Sequence, residues 1–234
     1  MGIALVAAIA ALAASTSPTL WRVDSTSAIA GHTPRVIGAP KVIDAPHGKV
    51  VAFDGVGDGL IVPVNPLAGA SAFTIEIHFR PDADGPAEQR FLHVEDEGGA
   101  RALIETRLTT EGNWALDTFL MNGANRLPLL DRTLLHPCGE WAWAALRYDG
   151  RQMTSFVNGT KEMEGPVTFP PMLKIGRTSV GVRLNEVYWF KGAIGEVRFH
   201  SGAIPAEELQ RPSPPPRKPT EPAPRPHDAD SSDR

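Results

Sequence analysis

Residues Gly139 to Gly159 read GEWAWAALRYDGRQMTSFVNG, and this stretch decides the fold. Trp141 to Tyr148 is a run of strand length that closes on Asp149-Gly150, and the run after it reaches Asn158-Gly159. Asp-Gly and Asn-Gly tolerate the positive φ angles that two-residue hairpin turns require. Two hairpins in succession imply consecutive antiparallel strands. The rhythm continues upstream, where Phe73, Ile75, Ile77 and Phe79 alternate with Thr74, Glu76, His78 and Arg80 until Pro81-Asp82. Ala102, Ile104, Thr106 and Leu108 alternate with Leu103, Glu105 and Arg107, as do Trp114, Leu116, Thr118 and Leu120 with Ala115, Asp117 and Phe119. A period of two marks a half-buried strand, and turn residues recur about every ten positions, which is the spacing of a sandwich. Long helical patterns are absent, so the expected class is all-β, an antiparallel two-sheet β-sandwich.

Composition bounds the rest. The chain has 234 residues, 42% hydrophobic and 21% charged, with a formal net charge of −4. That is ordinary globular usage and one core's worth of chain. With the charges interspersed, no basic stripe neutralises phosphates, so nucleic acid is not an expected partner. Cys138 is the one cysteine, which rules out an intramolecular disulfide framework; it reads as a loop residue between His136-Pro137 and Gly139. Met1 to Ala14 is an apolar run ending in Ala11-Leu12-Ala13, a small-x-small pattern that suits signal cleavage but lacks a positive n-region, and it is too short to span a bilayer. Export to the periplasm or the extracellular space follows as the expected localisation. Residues 15–49 are turn-rich and are expected to wrap an edge strand, 50–210 form the sandwich, and 211–234 read as a Pro-rich disordered tail. Asn158-Gly159-Thr160 matches a glycosylation sequon, but the turn already accounts for it.

Seven phrases, taken in order, resemble the laminin-G-like jelly-roll family of the concanavalin A-like lectin/glucanase group. They are Val51-Ala52-Phe53-Asp54-Gly55 with Asp58 to Pro63; Phe73 to Pro81, with His78 where an aromatic is usual; Gly139 to Gly150; Phe156 to Gly159; Leu173 to Arg177; Phe190 to Phe199; and Ala203 to Leu209. The resemblance implies a jelly-roll sandwich, with glycans commonly lying on its concave sheet. It also implies loop oxygens for calcium, for which Asp54, Asp58 and Glu196 are the candidates. Most of these phrases serve turns and core, with Trp141 and Phe190 expected to fill the layer between the sheets.

Function must therefore be sought outside the family phrases. The face opposite the aliphatic core carries Glu76 and His78, His93 and Glu95, Glu105 and Arg107, Asp117, and later Arg147. Neighbouring strands lie about 5 Å apart, so these groups are expected to converge on one ionisable face. Trp143, Tyr188 and Trp189, with Arg183 and Asn185 beside them, supply aromatic platforms and hydrogen-bonding groups of the kind that sugars need. The leading expectation is an exported recognition module for glycan or extracellular protein. The alternatives are a glycoside hydrolase using Glu76, Glu105 and Asp117 with His78, His93 and Arg107 tuning charge, a polysaccharide lyase acting on a uronic acid through His, Arg and Tyr side chains of the ionisable face, or a structural module without a small ligand. The enzyme lacks one expected element: the glucanase branch carries Glu-x-Asp-x-(x)-Glu on one strand, and no segment here has it.

Overall fold

The computed structural model describes residues 17–212. The expected leader and nearly all of the Pro-rich tail lie outside them. Among the described residues sixteen strands form in chain order: β1 (Thr19–Arg22), β2 (Arg35–Ile37), β3 (Lys41–Ala45), β4 (Gly48–Asp54), β5 (Gly59–Val62), β6 (Phe73–Pro81), β7 (Glu88–Asp96) and β8 (Arg101–Leu108), followed by β9 (Asn113–Asn122), β10 (Asn125–Leu130), β11 (His136–Pro137), β12 (Ala142–Tyr148), β13 (Gln152–Val157), β14 (Thr160–Pro166), β15 (Gly176–Val180) and β16 (Lys191–His200). One sheet runs β14-β13-β12-β6-β16-β4-β3, with β1 also on β16; the other runs β10-β9-β8-β7-β15-β5-β2, with β11 on β9. All pairings between these strands are antiparallel, and the architecture is a jelly-roll sandwich. Among the described residues no helix is long and apolar enough to cross a membrane.

The core is the alternation expected from the sequence. Phe73, Ile75, Ile77 and Phe79 of β6 meet Ala102, Ile104 and Leu108 of β8 and Trp114, Leu116 and Leu120 of β9 in one cluster. Its centre is aromatic, with Phe79 4.5 Å from Phe91 and 5.1 Å from Trp114, and Phe91 5.1 Å from Phe190, centroid to centroid. Phe190 fills the layer between the sheets as expected, but the indoles in the core cluster are Trp21 and Trp114. Trp141 is half-buried on the outer side, stacked on His78. The hairpin turns appear as read: Asn158 and Gly159 both take positive φ, and the Asp149 carboxylate accepts the amides of Arg151 and Gln152.

Residues 17–49 enter the sheets instead of lying over an edge. β1 continues the row beside β16 next to β4, whereas β3 and β2 are themselves edge strands of the two sheets. One crossing has functional weight. Between β6 and β7 the chain passes from one sheet to the other, so the polar sides of these two strands face outward in opposite directions.

Candidate functional site

On β8, the side chains of Arg101, Leu103, Glu105 and Arg107 turn away from the core cluster, and Glu105 pairs in register with Asp117 of β9 and Arg90 of β7. This brings three elements' charges into one network. Arg107 Nη2 donates to Glu105 Oε2 at 2.8 Å and stands 2.5 Å from Asp117 Oδ2, while Arg90 Nε donates to Glu105 Oε1 at 3.1 Å. Glu105 and Asp117 are only 4% and 5% exposed. A buried carboxylate is tolerable only when paired, and these two are held by guanidinium groups. The second Asp117 oxygen, Oδ1, is buried and makes no hydrogen bond among the described residues. Burial pushes the Asp117 carboxyl up to about 6; Arg107 pulls against that and Glu105 adds to it.

The loop between β15 and β16 builds a wall over this network. It starts at Gly181, whose φ is +82°, and a Cβ there would lie 2.3 Å from the Phe53 ring, so both the backbone and the space demand glycine. The neck is closed by Gly181 N to Phe91 O and Phe190 N to Gly181 O, each 2.9 Å. Further pins hold the loop down: Arg90 N donates to Tyr188 O at 2.9 Å, Leu184 N to His93 Nδ1 at 3.2 Å, and Arg35 Nη2 to Glu186 Oε1 at 2.7 Å. Tyr188 itself has φ +60°, unusual for a bulky residue and a cost that surrounding contacts must offset. The result is that the exposed Tyr188 ring sits 3.6 Å from the Arg90 guanidinium carbon.

Between wall and sheet lies a cleft of about 280 Å³ lined by Arg90, Arg101, Glu105, Arg107, Asp117 and Phe119, with Arg183 and Tyr188 from the loop. Across Arg183 is a smaller hollow of about 120 Å³ that also touches His93, Glu95, Arg177 and Asn185. Because His93 Nδ1 accepts the Leu184 amide, the neutral ring carries its proton on Nε2, 3.4 Å from Glu95. Burial lowers the His93 pKa, with Glu95 acting the other way. Larger depressions beside Arg126 and Arg151 and beside Ile175 contain none of the buried polar atoms left without a partner among the described residues.

The single ionisable face expected from the sequence is two faces. His93, Glu105, Arg107, Asp117, Arg183, Asn185 and Tyr188 gather around the cleft, whereas Glu76, His78 and Trp143 stand on the outside of the opposite sheet. There Glu76 is 1% exposed and clamps the C-terminal segment, with Oε2 2.7 Å from His200 Nε2 and Oε1 accepting the Gln210 amide at 2.6 Å. His78 is stacked between Trp141 and Trp143, at 4.6 and 4.7 Å. Burial drives its pKa down to about 4, helped by the charges of His47 and Arg198. Trp189 is half-buried and lines neither the cleft nor the hollow beside it.

The calcium set does not assemble. Asp54 Oδ1 accepts the amides of Val56, Gly57 and Asp58; burial opposes these bonds, yet they hold its carboxyl below the usual range. Asp58 Oδ1 accepts the Ala39 amide, and Glu196, further along β16 from the residue opposite Asp54, pairs with Arg198. Among the described residues no group of three His, Cys, Asp or Glu side chains stands close enough to hold a metal ion.

Arg90, Arg101 and Phe119 belong to the cleft and were not among the expected site residues. Arg101 and Phe119 were within reach, since each lies at an even spacing from Glu105 or Asp117. Arg90 was not, because a bulge at Phe91 shifts the alternation: counting back by two from His93 puts Phe91 outside, whereas it is fully buried and Arg90 faces out.

A family model described as the concanavalin A-like lectin/glucanases superfamily, Laminin_G_3, matches residues 54–210. No curated protein matches the chain in sequence. Among solved structures, domain 4 of AbnA, a GH43 extracellular arabinanase from Geobacillus stearothermophilus in complex with arabinotriose, is similar with a TM-score of 0.61 at 20% identity, covering 82% of this chain and 96% of that one. The botulinum neurotoxin serotype D ligand binding domain in complex with N-acetylneuraminic acid gives 0.59 at 14% identity, covering 82% of this chain and 49% of that one. The binding domain of Paraclostridial Mosquitocidal Protein 1 gives 0.59 at 13%, covering 82% and 50%. The chain thus spans about half the length of those toxin domains, and at these identities the likeness is one of fold. The family match extends over most of the described sandwich, and the chain belongs to the concanavalin A-like lectin/glucanase superfamily, with a laminin-G-like domain.

Proposed function

We propose that this protein is an exported, non-enzymatic recognition module that binds a saccharide of the extracellular space or cell envelope in the cleft on the outer face of β7, β8 and β9. The observation that carries this reading is the buried Asp117 Oδ1, left without a partner in a small polar cleft beside the exposed Tyr188 ring. Sugars need both features: a ring to pack on a C–H face and fixed acceptors and donors to orient hydroxyls. A cleft of about 280 Å³ suits one or two sugar units better than a protein surface, which calls for a broad patch. Two chains of the same fold hold saccharides, arabinotriose in one and N-acetylneuraminic acid in the other, which makes saccharides the first ligand class to test. Export rests on the apolar run from Met1 to Ala14.

A glycan array probed with the full chain and with Tyr188→Ala tests the proposal. The expected result is a restricted set of bound glycans whose affinity falls about tenfold or more in the variant, the size of one lost stacking contact with its ordered loop. Equal binding by both proteins would place the ligand elsewhere.

One observation favours hydrolysis as a second reading. Glu105 and Asp117 touch the same nitrogen of Arg107, so two carboxylate oxygens stand within about 5 Å, the separation of a retaining pair, and the pKa of Asp117 is raised as a general acid's would be. Against it, both carboxylates are committed to Arg107. Release of reducing ends from a polysaccharide panel, lost in Glu105→Gln and in Asp117→Asn, would establish the enzyme; their absence across the panel leaves the binder.

A further inference from the structure

The charges lining the cleft are not balanced. Four guanidinium groups, Arg90, Arg101, Arg107 and Arg183, face two carboxylates, Glu105 and Asp117. Arg107 bridges both carboxylates and Arg90 holds Glu105, so each acidic group already has a guanidinium partner, with only Asp117 Oδ1 left open among the described residues. Arg101 is loosely engaged, 3.7 Å from Glu95 Oε2, and its Nε makes no hydrogen bond. Arg183 has no carboxylate within ion-pair distance among the described residues, and its Nε is buried without a partner. It stands on the rim shared by the cleft and the smaller hollow, on a loop pinned at both ends. An unpaired guanidinium beside a desolvated site is costly unless an anion completes it, and its planar fork matches a carboxylate in two parallel bonds.

We infer that the cleft selects acidic saccharides, with the sugar's carboxylate anchored on Arg183, a hydroxyl donating to Asp117 Oδ1 and the ring packed beside Tyr188. This deepens the proposed function and rests on it. Arg183 is then the residue that separates acidic from neutral sugars, because only the acidic ones complete its hydrogen bonds, whereas Tyr188 and Asp117 serve both.

The test uses the full chain and an array of matched pairs, each a uronate- or sialate-terminated oligosaccharide and its carboxyl-reduced, neutral counterpart. The bound members are expected to carry the carboxylate, with affinity at least tenfold above that of the reduced partner and falling as salt rises. Arg183→Ala should lose about tenfold or more on the acidic member and change the neutral one less than twofold; Arg183→Lys, which keeps the charge and loses the fork, should fall between. Thermal melting checks that both variants fold, as expected for a half-exposed loop residue. Equal affinity for the two members of a pair, or an Arg183→Ala protein that still prefers the acidic one, overturns the inference while leaving saccharide binding intact. Binding of no saccharide at all overturns the proposed function, and the inference with it.

Discussion

Two buried titrating groups on opposite faces give the protein opposing responses to acid. Asp117 has a pKa of about 6 when folded, against 3.8 for the free side chain, so the folded state holds its proton more tightly and stability from this residue is lost as pH rises from about 4 to 6. His78 behaves in the reverse sense. Its pKa of about 4 lies below the ordinary imidazole value of 6.5, so its contribution is present above 6.5 and lost as pH falls towards 4. In the native chain these largely cancel between pH 4 and 6; single variants should reveal each. Chemical denaturation is expected to show Asp117→Asn gaining about 2 kcal/mol on the native protein between pH 4 and pH 7. His78→Phe, which keeps a ring between Trp141 and Trp143, should gain a similar amount on the native protein as pH falls from about 6.5 to 4. Parallel pH curves for variant and native protein would show that the group does not titrate as described. The sequence identified both residues as ionisable positions on strand faces, but burial decides their behaviour, and that depends on the loop above Asp117 and the two indoles beside His78.

At the scale of elements, the loop from Gly181 to Phe190 converts an open sheet face into a cleft. Its shape is set by Gly181 against Phe53 at one end and Phe190 in the core at the other. Gly181→Ala adds a Cβ that the φ of +82° and the Phe53 ring both reject. We expect it to destabilise the chain by about 2 kcal/mol, read as a lower denaturation midpoint at unchanged m-value, and to weaken saccharide binding by displacing Arg183 and Tyr188 together. Unaltered stability and binding would mean that the neck tolerates movement and that the wall is not built as described. This scale also marks the boundary of what sequence could tell. Alternation correctly sorted Ile75 and Ile77 from Glu76 and His78, and Ile104 from Glu105. It says nothing about which sheet a strand joins, so Glu76 and Glu105 looked like neighbours although the crossing after β6 puts them on opposite sides of the molecule. The bulge at Phe91 hid Arg90 for a related reason: one extra residue reverses every side beyond it.

The whole molecule explains why one outer face is available to a ligand and the other much less so. Over β6, β12 and β13 the chain lays its own C-terminal segment: Leu209 packs on Ala145 and Phe156, Ile204 and Ala206 join them, and Glu76 takes the Gln210 amide. Over β7, β8 and β9 no such cover lies among the described residues; the loop walls one side and leaves a polar cleft with unpartnered groups. The family phrases were legible because turns and core obey local rules, and they led correctly to a concanavalin A-like sandwich. The cleft was only partly legible, because it is made by register, a bulge and a loop closing over distant strands. The proposed function requires that a saccharide bind on the β7–β9 face. Its most direct test is a side-chain and backbone NMR titration of the isotope-labelled protein with the tightest glycan from the array. Shifts confined to Arg90, Arg107, Asp117, Phe119, Arg183 and Tyr188 are predicted, with His78, Trp143 and Arg198 unmoved. Saturable shifts centred on the His78–Trp143 face, with the cleft silent, would contradict it.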